Sequence, residues 1–148
     1  MSDLYDTDIL AWSARQVELL RRIARGERVN DADLDWPNIL EEIESVGRSE
    51  LRTLRALLFQ AFVHDLKAKA WPLARDAPQW RADARGFRRQ AAMEFTPSMR
   101  QRIDVAGIYN DALAALPETM DGQPPGPVPA TCTATIEDLL AERWLDLR

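Results

Sequence analysis

An all-α fold is expected from three observations. Apolar residues recur at three- and four-residue spacing along most of the chain. No stretch alternates apolar and polar residues convincingly enough to be a strand. Helix-start signals, a capping side chain followed by Pro, recur at Asp35-Trp36-Pro37, Asp76-Ala77-Pro78 and Thr96-Pro97. Together these patterns predict a single helical bundle over residues 1–148, with four to five helices and one long second helix.

The first helix is expected to start near Asp6 or Thr7, either of which can cap free backbone N–H groups. Ile9, Leu10, Trp12, Val17, Leu19, Leu20 and Ile23 follow mostly at helical spacing, and Arg21, Arg22 and Arg25 suit the negative end of the helix dipole. Gly26 suits the stop, and residues 27–34 read as a polar connection. The second helix opens at Asp35-Trp36-Pro37, where Pro fits the first turn. Its stripe runs from Ile39 and Leu40 to Leu66, ending at Trp71-Pro72. If continuous it has about 36 residues and a length of about 54 Å, more than the roughly 38 Å span of a compact domain of this size. Such a helix projects, bends at Gly47-Arg48-Ser49, or pairs with another chain.

A basic third helix starts at Asp76, and a fourth runs from Thr96-Pro97 through Ile108 and Leu116, with Gly107 as an interruption. Residues 117–134 form a Pro/Gly-rich loop. Thr135-Ile136-Glu137-Asp138 then resembles a capping box opening a short helix with Ile136, Leu139, Leu140 and Trp144. The expected core includes Leu40, Ile43, Leu54, Leu58, Phe62, Leu113 and Leu139.

Composition narrows the chemistry. Cys132 is the single cysteine and His64 the single histidine, which excludes a disulfide framework, a Cys-based zinc site and a one-chain centre with two imidazoles. The opening residues lack a signal-peptide pattern, and no apolar run approaches the roughly 20 residues of a membrane span, so a cytoplasmic protein with no membrane partner is expected. The net charge of −5 hides an asymmetry. Residues 1–47 carry eleven acidic and five basic side chains, 48–102 five and twelve, and 103–148 eight and two. The basic middle either forms an anion-binding surface or is complemented by the acidic ends.

Several stretches resemble one bacterial family. They are Leu4-Tyr5-Asp6-Thr7-Asp8 with Trp12, the block from Asn38 to Glu50, His64 with Lys67, Trp80, Pro97-Ser98-Met99-Arg100, and Cys132 with Thr135 through Leu140. The chain is thereby similar, over nearly its whole length, to the family known as domain of unknown function number 29. The resemblance implies a helical fold and no established reaction, cofactor or catalytic residue.

Three functional readings follow from the residues. In the first, the protein is a non-catalytic protein–protein interaction or regulatory module. Glu41 and Glu44 precede Arg48, Arg52 and Arg55 on the long helix, a polarity suited to antiparallel self-pairing in a homodimer. In the second, Arg81, Arg85, Arg88 and Arg89 gather along one side of the third helix and Trp80 offers a stacking ring, so the protein binds nucleic acid. The pI near 4.9 argues against that reading. The third is an enzyme or metal-binding bundle that uses His64 or the Glu41–Glu44 cluster. On one helix Glu44 and His64 lie about 30 Å apart, so they cannot share an ion. No catalytic residue, metal ligand set or cofactor is assigned.

Overall fold

In the computed structural model, which describes residues 3–141, helices account for every regular element. They are α1 (Asp3–Thr7), α2 (Ile9–Ala24), α3 (Trp36–Ala70), α4 (Ala77–Glu94), α5 (Val105–Ala114) and α6 (Ile136–Leu140), with 3₁₀ turns at Asp31–Asp33 and Pro97–Arg102. The all-α class and the long helix are as the spacing predicts. Trp144 lies outside the described residues. The chain divides into two compact units, residues 1–48 and 49–148, and α3 supplies residues to both.

In the first unit the helix entry differs from expectation. Asp6 and Thr7 belong to the short α1, and Asp8 caps α2 by accepting the Ala11 N–H at 3.0 Å. The stop at Gly26 is as expected, because that residue takes φ +82°, a conformation open to Gly at little cost. Trp12, Leu19, Leu34 and Ile39 form a small core, with Tyr5 set edge-on to Trp12 at 4.9 Å. Gln16 is buried with them and satisfies both ends of its amide. Its Oε1 accepts the Asp35 N–H at 2.9 Å, and its Nε2 donates to the Asp33 carbonyl at 3.4 Å. This brace fixes the chain just before α3 begins. The Asp35 carboxylate then accepts from Asn38 Nδ2 at 2.8 Å and from Trp12 Nε1 at 2.9 Å.

The second unit holds the larger core. Leu54, Leu58, Ala61, Phe62 and Leu66 of α3 meet Ala91 of α4, Ile108, Tyr109 and Ala112 of α5, and Ile136 and Leu139 of α6. Phe62 and Tyr109 pack edge to face at 5.2 Å. The expected fourth helix is two pieces. Asp104 restarts the helix by accepting the Gly107 N–H at 3.0 Å, so Gly107 lies in a new first turn and interrupts nothing. The Thr135–Asp138 capping box forms with both reciprocal hydrogen bonds.

Residues 117–131 have no helix, as their Pro and Gly content requires, yet they are pinned down. Asp121 and Gly122, at φ +51° and +76°, make a tight turn closed by paired bonds between Met120 and Gln123. Gln123 then accepts the Trp71 indole N–H at 3.0 Å, and the Gly126 N–H caps the Ala70 carbonyl at 2.8 Å. A β-carbon at Gly126 would sit 3.1 Å from that carbonyl oxygen, which is why Gly stands here.

Three core expectations are corrected. Leu40 and Ile43 are 55% and 65% exposed, and Leu113 is only half-buried. Leu54, Leu58, Phe62 and Leu139 are buried as expected. Around Leu54 the helices of the second unit cover the α3 stripe, whereas in the first unit α2 meets α3 on the side of Ile39.

Candidate functional site

The N-terminal third of α3 carries an uncovered apolar row. Trp36 is 42% exposed, and Leu40, Ile43 and Val46 are each more than half exposed. Positions 36, 40, 43 and 47 follow the four-three-four spacing that keeps side chains on one helix face. Gly47 ends the row, and a β-carbon built there would meet nothing within 4 Å. The helix is unbroken through this point.

Charged groups flank the row and are engaged within the chain. Arg48 pairs with Glu41 at 2.5 Å and with Glu44 at 3.7 Å. The Tyr5 hydroxyl donates to Glu42 at 2.6 Å, and that bond to a carboxylate pushes the phenol up to about 12. Arg52 is exposed, and Arg55 donates to the Arg102 carbonyl at 3.4 Å. Thus the acidic and basic groups expected to face a partner already include one local pairing, through Arg48. Such exposed pairs contribute little stability and exchange readily.

The arginine row of α4 splits by depth. Arg81, Arg85 and Arg89 are exposed. Arg88 is buried, with its guanidinium 2.8 Å from the Asp65 carboxylate. Sequence spacing grouped these four, but the buried face of α4 is Ala77, Ala84, Arg88 and Ala91. An arginine in register with three alanines was the signal that it turns inward. Burial pushes the Asp65 carboxyl up to about 6, while Arg88, Lys69 and His64 pull it the other way. Arg85, Arg88 and Arg89 also line a groove floored by Ala82, Gly86, Leu139 and Leu140. Trp80 is half-buried, and the Lys67 ammonium lies 5.7 Å from its ring centre. Its face is therefore shared with a cation of the same chain.

His64 is half-buried. Its Nδ1 donates to the Gln60 carbonyl at 2.7 Å and its ring lies 5.2 Å from that of Phe87. The helix carbonyl fixes the tautomer and leaves Nε2 as the acceptor of the neutral ring. Among the described residues no three His, Cys, Asp or Glu side chains gather as a metal site. No described helix is long and apolar enough to cross a membrane.

An α-helical chain with an exposed apolar row and a helix-borne arginine cluster defines a class by architecture and not by a reaction. The chain belongs to the family described as domain of unknown function DUF29, whose model matches residues 4–145. It is similar to a crystal structure from Rhodospirillum rubrum described as an alpha-helical protein of unknown function. The two are 32% identical, 97% of this chain and 93% of that chain are covered, and the TM-score is 0.67. No curated protein matches the chain.

Proposed function

We propose that the protein is a non-catalytic interaction module that docks another polypeptide on the apolar row of α3. The observation that carries this reading is the exposure of Leu40, Ile43 and Val46 on a well-formed helix whose other side builds a core. Large apolar side chains in a contiguous exposed patch mark interaction surfaces, because leaving them in water costs about 25 cal/mol per Å². A lone cysteine suits a reducing compartment, and the solved relative comes from Rhodospirillum rubrum, so we take the protein to be bacterial and cytoplasmic. The test is to replace Leu40 by a photo-cross-linking amino acid in the native host. A covalent polypeptide adduct that disappears with Ile43→Glu is expected, and its absence would overturn the reading.

Nucleic-acid binding is the second reading, favoured by the exposure of Arg81, Arg85 and Arg89 along one helix. Its test is the salt dependence of binding to mixed-sequence RNA and DNA. Under this reading, replacing Arg85 and Arg89 by Ala lowers both affinity and salt slope.

A further inference from the structure

The geometry points to a second copy of this chain as the occupant of the α3 row, packed antiparallel with Trp36 over Gly47 and Leu40 against Ile43. This rests on the docking reading above and names the partner. Trp36, Leu40, Ile43 and Gly47 have the spacing of a two-helix seam. With the two-fold axis between Glu41 and Glu42, each bulky position finds a complementary one. The indole meets a residue with no side chain and open space above it, and Leu40 meets a side chain of its own size.

A parallel pairing fails this match. It would set Trp36 on Trp36 at one end and Gly47 on Gly47 at the other, leaving a bulge and a void that packing disfavours. One opposite-charge pair accompanies the antiparallel register. Arg48 of one copy comes opposite Asp35 of the other, each already engaged within its own chain, Arg48 by Glu41 and Glu44 in exposed pairs that exchange readily and Asp35 by Trp12 and Asn38. The acidic side chains Glu41 and Glu42, near the axis, point off the seam and are already engaged, by Arg48 and Tyr5 respectively. Such a two-fold interface is also the commonest symmetry of soluble oligomers. The seam is short, at the low end of specific interfaces, about 1,200 Å² or less. The dimer is therefore weak and concentration-dependent, with a Kd on the order of micromolar.

The experiment is sedimentation equilibrium of the full chain from about 0.1 to about 300 µM, bracketing that Kd. A monomer–dimer equilibrium is expected, abolished by Leu40→Glu. Gly47→Leu fills the slot that receives the indole and is expected to weaken dimerisation at least about tenfold. That variant cannot act by unfolding, because its side chain meets open space and Leu favours helix over Gly. In a Cys132→Ser background, mixing Leu40→Cys and Ile43→Cys chains is expected to give a disulfide-linked heterodimer, and Trp36→Cys chains alone are expected to give none. A monomer throughout, a dimer insensitive to Leu40→Glu, or ready cross-linking through Trp36→Cys alone would overturn the proposal. An in-cell adduct from position 40 to a different protein would overturn self-pairing and leave the docking reading standing. The absence of any adduct would remove both.

Discussion

The Arg88 guanidinium donates to the Asp65 carboxylate at 2.8 Å, with the two side chains 6% and 17% exposed. A cation that sequence spacing assigns to the surface of α4 is instead a buried structural partner of α3. Removing one member of such a pair strands the other charge away from water. Arg88→Ala is expected to cost about 3–5 kcal/mol, while Arg81→Ala or Arg85→Ala stays within about 0.5 kcal/mol. Urea denaturation of the three variants measures the contrast.

The same pair makes stability depend on pH. Asp65 titrates near 6 in the folded chain, against an ordinary value of 3.8. Between those values the folded state holds a proton that the unfolded state has lost. Stability from this group therefore falls as pH rises from about 4 to about 6 and is level above that, a change of about 3 kcal/mol. Asp65→Asn removes the titration, so the stability of the native chain relative to this variant should decline across that window. A constant difference would count against the assignment.

Burial divides the α3 stripe into two behaviours. Leu58 is 1% exposed, and Leu58→Ala is expected to cost about 2–5 kcal/mol. Leu40 is 55% exposed, and in dilute protein Leu40→Ala should stay within about 0.5 kcal/mol. Thermal or urea unfolding at low concentration separates the two.

Both tyrosines of the chain resist ionisation, for different reasons. Tyr5 donates to Glu42, and Tyr109 is raised chiefly by burial. Spectrophotometric titration should place both phenolate transitions above pH 10, the ordinary value. Glu42→Gln is expected to bring one of the two transitions down toward it.

The Pro-rich loop should be protected from proteases despite its composition. Trp71→Phe removes the indole bond to Gln123 and is expected to cost about 1 kcal/mol. Cleavage within residues 117–131 should accelerate in that variant and in Gly126→Val, where the added side chain presses on the Ala70 carbonyl. Limited proteolysis with mass mapping reads both.

Local signals determined much of this protein. The helices, the Pro-marked start of α3, the Gly26 stop and the Thr135 capping box depend on residues within a turn of one another, so spacing and capping chemistry suffice to read them. Resemblance in several stretches, the block from Asn38 to Glu50 among them, pointed to the family whose model matches residues 4–145. What only the tertiary structure decided is which groups water reaches. Leu40 and Leu58 are alike in sequence, both leucines on the apolar stripe of one helix, but only Leu58 has α4, α5 and α6 packed around its core. Arg85 and Arg88 are neighbours on one helix, but only Arg88 turns toward an acid 23 residues away. Exposure is set by contacts between distant segments, and periodicity along one helix carries no record of what those segments will cover.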